Sequence, residues 1–471
     1  MKRTCILDSL KHIDQEITVS GWVDNRRDHG QLIFLDVRDM TGKIQVVVNP
    51  KVSARAHKTA EKLRSEFVVS ITGKVNNRPE KLINPNLATG TVELEAANVK
   101  ILSEAKTLPF ELGDTKKVNE ETRLKYRYLD LRSERMTKNL RLRAKAASLT
   151  REFLNSSGFA EIETPMLSKT SPEGSRDFLV PSRMQAGKFY ALPQSPQQYK
   201  QLLMIAGLEK YYQLARAMRD EDLRGDRQLE HTQIDLEMSF ITQDDILNLA
   251  EAMMVEIVEG CGKKVLEKPF PRLTHEEAMK KHKADKFDLR ENPPAGGKDP
   301  ETFAFAWVTD FPLFEKDEES GKITFAHNPF SRPKEEAVEK LMAGKDLLEL
   351  RAQQYDLVCN GYEIASGGLR ITDPKIQRKV FEIMGLSKNQ IDERFGHILE
   401  AYEYGAPVHG GIAVGFDRLV MLLANEENIR EVIAFPVSSS GQTSVMDAPS
   451  EAYPKLLKEL HIKIDIPKSK N

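Results

Sequence analysis

Cysteine is scarce in this chain: Cys5, Cys261 and Cys359 are odd in number, scattered and without CxxC spacing, which excludes a disulfide framework and indicates no zinc site. No apolar run approaches the roughly 20 residues that cross a bilayer, so no membrane partner is expected. The start, MKRTCILDSLKHID, carries early basic residues without a sustained apolar segment, and Asp8 and Asp14 argue against an organelle presequence. The cytoplasm is the expected compartment. Charge of one sign is also missing: 69 basic residues face 71 acidic ones, a net charge of −2, so any RNA contact must come from local patches. Neither the glycine-lysine loop of P-loop proteins nor a GxGxxG fingerprint occurs, so a nucleotide, if bound, is held another way.

What is present describes a globular chain of 471 residues, 40% hydrophobic and 30% charged, long enough for two or three domains. From Glu16 to Leu102 the order is three short strands, a helix at ARAHKTAEKLRSE, and two more strands. That is the order of an OB-fold, a small barrel that commonly presents one face to single-stranded nucleic acid. Period-two alternation puts Ile33, Leu35 and Val37 on one face and Phe34 and Asp36 on the other, with Gln45 outward on the next strand. A lone phenylalanine more often packs under a loop than reads a base. Beside the basic NRRDHG (Asn25 to Gly30), stacking on unpaired RNA bases becomes the better reading of Phe34.

Residues 106–135 are charged and lack sustained periodicity, which reads as a linker between a domain at 1–105 and one at 136–471. A helix is expected from Thr137 to Ser157, ended at Gly158, followed by a strand at FAEIETPML. Beyond it, strands alternate with helices such as DDILNLAEAMMVEIVEGCG and PKIQRKVFEIMG, an α+β pattern. The one composition shift is proline- and glycine-rich, near 290–302. Two stretches, RAMRDEDLRGDRQLEHTQIDLEMSF (Arg216 to Phe240) and GGIAVGFDRLVMLL (Gly410 to Leu423), each carry an arginine, Arg219 or Arg418, to a place where polyphosphate could lie. The planar guanidinium suits phosphate because it donates parallel hydrogen bonds and keeps its charge.

These two stretches resemble motifs 2 and 3 of the class II aminoacyl-tRNA synthetases, and ETPML (Glu163 to Leu167) resembles motif 1. SPEGSRDF (Ser171 to Phe178), QSPQQYKQLLM (Gln194 to Met204), YDLVCNGYEIASGGLRI (Tyr355 to Ile371) and KYRYLDLR (Lys125 to Arg132) are similar to the bacterial-type aspartyl-tRNA synthetases. The resemblance implies an OB-fold anticodon domain, a class II antiparallel-sheet catalytic domain, and a homodimer. It implies ATP and Mg²⁺ as cofactors and L-aspartate and tRNA(Asp) as partners. Relatives of this type usually carry a large extra domain where this chain has only the bridge near 290–302.

Carried over residue by residue, the resemblance puts Arg219 on the α-phosphate of ATP, with Asp220, Glu221, Gln228 and His231 around the nucleotide. Arg418 falls on the far phosphates, with Gly415, Phe416 and Asp417 beside it, and Glu363 with Asp356 on the metal. Arg219, Arg418 and Glu363 are thus the expected catalytic set. For aspartate it implies Lys200 and Arg370 on the side-chain carboxylate, Glu173 and Asp235 near the ammonium, Gln197 and Arg219 in the same pocket, and His327 from a loop. For the anticodon it implies Arg26, Phe34, Gln45 and Glu93. Two positions tied to tRNA choice disagree: His29 resembles enzymes that also charge tRNA(Asn), and Lys81 resembles those restricted to tRNA(Asp). The chain departs from the family at Leu229, Glu230 and His231, where PEF is usual, at EIASGGLR, and at HNPF. A lysyl or asparaginyl relative, or a retired paralogue kept as an RNA-binding module, are the competing readings. LRITDP and QSPQQYK favour aspartate, and the presence of Arg219, Glu363 and Arg418 opposes retirement.

Overall fold

Alternating apolar residues close the first unit, Met1–Glu111, into a barrel. Its strands are β1 (Glu16–Asp28), β2 (Ile33–Arg38), β3 (Lys43–Val48), β4 (Val68–Asn77) and β5 (Val92–Ser103), joined in the order β1-β2-β3-β5-β4. Inward residues such as Val19, Ile33, Leu35, Val46, Ile71 and Leu94 are fully buried. The helix α1 (Ala54–Ala60) starts where the Ser53 side chain accepts the Ala56 N–H. β1 continues through a bulge between Val23 and Asn25, so Arg26 and Arg27 stand on a strand, paired with Leu35 and Phe34. The computed structural model describes residues 2–170, 175–291, 298–317 and 321–465.

The second unit, Leu112–Asn471, starts inside the expected linker. Residues 120–135 are not a free connector: α2 (Glu120–Lys125) and α3 (Arg127–Asp130) precede α4 (Glu134–Ser156). The reason is a set of arginines that composition alone reads as surface charge. Arg127 is fully buried and donates to the carbonyls of Ala434, Arg430 and Ile433 and to Asp130. Ser133 caps α4 through the Met136 N–H, and Gly158 follows its end at φ +78°. The strand expected over FAEIETPML shrinks to β6 (Ala160–Glu161).

Next come α5 (Gln197–Ile205), β7 (Lys210–Met218), β8 (Glu230–Ser239), α6 (Gln243–Gly260), β9 (Arg272–Thr274), α7 (His275–His282), β10 (Phe305–Thr309), β11 (Gln354–Cys359) and β12 (Tyr362–Leu369). The last elements that matter here are α8 (Pro374–Ile383), α9 (Lys388–Tyr402), β13 (His409–Gly415) and α10 (Phe416–Leu423). The eight-stranded sheet has the order β9-β10-β11-β12-β13-β8-β7-β6. Its pairs are antiparallel except at the two edges, β9 with β10 and β6 with β7. One face packs on α4, α6 and α10 through Ile234, Leu236, Trp307, Tyr355, Ile412 and Val414. The other face is polar and carries a cavity.

Candidate active site

The strand β8 is buried on both faces, and its residues alternate: Ile234, Leu236 and Met238 enter the core while Gln233, Asp235 and Glu237 point the other way. Buried carboxylates need partners. Lys200, from the inward side of α5, places Nζ 2.6 Å from Asp235 and 3.2 Å from Glu237. Arg370 donates from Nε and Nη2 to the two Glu237 oxygens at 2.8 and 3.1 Å. Burial alone would raise the Glu237 pKa, yet Arg370 and Lys200 outweigh it and hold it down to about 2. Burial does raise Asp235, with Lys200 only partly opposing it. Gly411 stands directly opposite Glu237, and a Cβ there would meet Glu237 Oε2 at 2.0 Å. The Leu236 main-chain carbonyl would lie 2.1 Å from the same Cβ, so glycine at 411 is required by the backbone across the ladder as well as by the carboxylate.

Lys200, Asp235 and Arg370, with fully buried Glu237 bonded behind them, form one end of a cavity of about 630 Å³. Gln197, Lys200, Asp235, His327 and Arg370 line it, and Gln233 and Asn328 join them although the sequence did not single them out. Among the described residues, buried Asp235 Oδ2 and Gln233 Oε1 accept no hydrogen bond, two acceptors suited to an ammonium group. One edge of the Arg370 fork, Nε and Nη2, is spent on Glu237, and the residue also lines the cavity.

Arg219 and Arg418 line the other end. Arg418 enters on the first turn of α10; its Nη1 donates to the Glu363 carbonyl and its Nη2 to Asp226 Oδ2 at 3.0 Å. Among the described residues the buried Nε of each arginine has no partner, so each keeps a donor for an added anion. Glu363 sits beside a bulge between β11 and β12, and its carboxylate meets Lys286 Nζ at 2.8 Å. Burial would raise Glu363, but Lys286, Arg418 and His327 together lower it. On the remaining wall, Gln228 accepts the Val437 N–H at 2.9 Å, with Glu221, His231 and Gly415 nearby. Burial and the field of Arg219, Arg418 and Arg216 depress His231 to about 3, so its ring is neutral at pH 7.

Three expected ATP or metal residues, Asp220, Phe416 and Asp356, do not line this cavity. Asp220 turns to Arg176 across an isolated bridge. Phe416 is a core residue under the Arg143 guanidinium, 4.8 Å away. Buried Asp356 is engaged by Gln354 and by His327 at 3.4 Å. Asp417 does line the cavity, but both its oxygens are taken, by Arg143 at 2.5 Å and by the Thr232 N–H at 2.8 Å. Glu173 lies outside the described residues, as do residues 292–297 of the expected bridge.

In the barrel unit the outward residues of adjacent strands gather as the alternation requires. Gln45 donates to Glu93 at 3.1 Å, Arg27 reaches Asp36 and Gln45, and Arg78 lies 3.8 Å from Glu93. His29 meets Phe34 edge to face, with ring centres 5.6 Å apart. Arg26 is turned aside to Ala60 and Asp28. Lys81 is exposed on a single 3₁₀ turn, Glu80–Leu82, whose last carbonyl Arg78 holds.

A family model of class II tRNA synthetases (D, K and N) matches residues 119–439, and a model of the OB-fold nucleic acid binding domain matches residues 17–102. The aspartate–tRNA(Asp/Asn) ligase of Rubrobacter xylanophilus is 42% identical, over 97% of this chain and 96% of the relative. The aspartate–tRNA ligase of Geobacillus kaustophilus is 40% identical, over 97% and 98%. The first alignment runs over 576 positions against the 471 residues here, so more than a hundred positions have no residue in this chain. Among solved structures, the aspartyl-tRNA synthetase of Entamoeba histolytica superposes with a TM-score of 0.73 at 22% identity, covering 93% of this chain and 91% of that one. The asparaginyl-tRNA synthetase of Pyrococcus horikoshii, solved with asparaginyl-adenylate, gives a TM-score of 0.73 at 21%, covering 94% and 97%. At such identities these two show the fold alone.

Proposed function

This chain belongs to the class II tRNA synthetases (D, K and N), and we infer from that membership the work of an aspartate–tRNA ligase. It activates L-aspartate with ATP to aspartyl-adenylate and passes the aspartyl group to tRNA(Asp). The observation that best supports the site assignment is the joining, in one cavity, of Lys200, Asp235 and Arg370, braced by buried Glu237, with the two arginines Arg219 and Arg418.

The aspartate α-carboxylate is ionised at neutral pH, so attack on the α-phosphorus needs alignment and charge neutralisation more than a base. Arg370 and Lys200 hold the side-chain carboxylate, and Asp235 with Gln233 receives the ammonium. A neutral amide in place of that carboxylate leaves buried cations short of a partner, which discriminates against asparagine. Arg219 draws the α-phosphate toward the nucleophile. Arg418 holds the phosphates that leave, and His231 offers a neutral ring to adenine. Mg²⁺ would neutralise phosphate charge; Glu363 is the carboxylate suited to it, since Mg²⁺ takes one or two protein carboxylates plus phosphate oxygens. Asp356, held by His327 and Gln354, would support that site from behind.

The barrel reads the anticodon through Phe34, Gln45 and Glu93, with Arg26 and Arg27 on the flanking strand. The chain works as a homodimer in the cytoplasm, and half-exposed Leu167 of the ETPML stretch is one apolar residue available for pairing. No helix among the described residues is long and apolar enough to cross a membrane.

Pyrophosphate exchange tests the activation step. Aspartate alone among the amino acids supports exchange, and Arg219→Ala or Arg418→Ala lowers kcat/KM by about 3–4 kcal/mol of transition-state stabilisation with the fold intact. Exchange driven by lysine or asparagine, or unaffected by either substitution, sinks the assignment.

A further inference from the structure

Lys286 reaches the cavity from the segment after α7, and the reaction as derived above gives it no task. Its Nζ lies 2.8 Å from Glu363 Oε2. Arg418 donates to the main-chain carbonyl of the same Glu363. Glu363 therefore has a cation on either side, one on its carboxylate and one on its backbone, at the end of the cavity where the leaving phosphates must lie. The Lys286 side chain is 45% exposed, against 3% for Lys200. An ion pair so open to water contributes little to folding, so stability is a weak reason for it to be there.

We propose that Lys286 is a phosphate-binding residue, one that grips the β- and γ-phosphates of ATP alongside Arg418 after exchanging Glu363 for them. The inference rests on the reading of this cavity as an ATP site. Nucleotide triphosphate enters with four negative charges at most and a hard divalent cation. Once the Glu363 carboxylate turns to that cation, Lys286 loses its counter-ion next to the phosphates that Arg418 holds. An ammonium is a common phosphate ligand as a mobile point charge. Through the exchange every charge changes partner and none is left buried and alone, which keeps the entry of the nucleotide from carrying a desolvation penalty of its own.

Titration calorimetry of the full chain with pyrophosphate, ATP, AMP and L-aspartate, each in magnesium buffer, tests this. Lys286→Ala is expected to weaken pyrophosphate and ATP by about tenfold, to change AMP and aspartate by less than about twofold, and Lys286→Arg to recover most of the loss. AMP lacks the two outer phosphates, so it separates contact with them from a general disturbance of Glu363. Equal weakening of AMP and pyrophosphate, or unchanged pyrophosphate affinity, overturns the assignment. If Lys286→Ala fails to fold, as judged by circular dichroism, Lys286→Gln carries the same comparison with the side-chain length retained. Failure of the unmodified protein to bind ATP and AMP at all would instead overturn the reading of the cavity, and this inference with it.

Discussion

Arg370 shows how a single residue divides its geometry between fold and substrate. Nε and Nη2 are fixed by Glu237, so under the proposed function the guanidinium is aimed before aspartate arrives. Lysine at this position keeps the charge but cannot donate two parallel bonds to Glu237 while reaching the substrate. Arg370→Lys should therefore lower kcat/KM for aspartate by about 2–3 kcal/mol while leaving the KM for ATP near its original value, a split read directly from exchange kinetics. Unchanged aspartate kinetics would move recognition to Lys200. Glu237 was not singled out in the sequence, although Gln233, Asp235 and Glu237 alternate with Ile234, Leu236 and Met238 along one strand, a signal of a buried polar face that could have found it. Lys286 carries no such signal: it lies in a charged loop, and nothing in its neighbours in sequence marks the sheet residue it meets. His231 was legible as a departure from an expected aromatic, while its loss of charge comes only from the arginines that the fold gathers around it.

At the scale of elements, the barrel strands could be placed from alternation because each has one wet and one dry face. The stretch 106–135 misled for the opposite reason, since its helices are held by buried ion pairs and not by an apolar stripe. Glu431 is central to that clasp, hydrogen-bonded to Arg123 in a two-pronged pair at 2.9 and 3.1 Å and ion-paired with Arg135 at 2.9 Å. Burial would raise its pKa, but Arg123, Arg135 and Arg127 bring it down to about 2. A carboxyl whose pKa is depressed on folding stabilises the folded state above its unfolded value, near 4.5, and loses that contribution as pH falls through the folded value. Glu431→Gln should thus cost on the order of 3 kcal/mol at pH 7. The gap between variant and unmodified protein should narrow by more than half at pH 3. Denaturant midpoints at the two pH values decide it, and a gap independent of pH would show that the clasp does not depend on the Glu431 charge.

For the whole molecule, the proposed function makes specificity depend on the barrel as well as on the cavity. Arg78 ties the carbonyl of Leu82, one residue past Lys81, to the strand face of Glu93 and Gln45, while His29 packs against Phe34. We expect preferential charging of tRNA(Asp) with measurable charging of tRNA(Asn), and a weaker preference in Lys81→Gly, measured with the two purified tRNAs side by side. Equal charging of both, indifferent to Lys81, would remove these positions from the account. The clasp has one more consequence, for the order in which the protein comes into being. The barrel's strands pair within the first 111 residues and can form on a chain still being translated. Arg123 and Glu431, by contrast, are 308 positions apart, and β13, which brings the glycine opposite Glu237, occupies the middle of the sheet but is made among the last elements. No nascent fragment can hold a finished cavity. A ribosome stalled midway would release a chain able to fold its RNA-binding barrel but unable to make adenylate, so the chemistry is withheld until synthesis is nearly over.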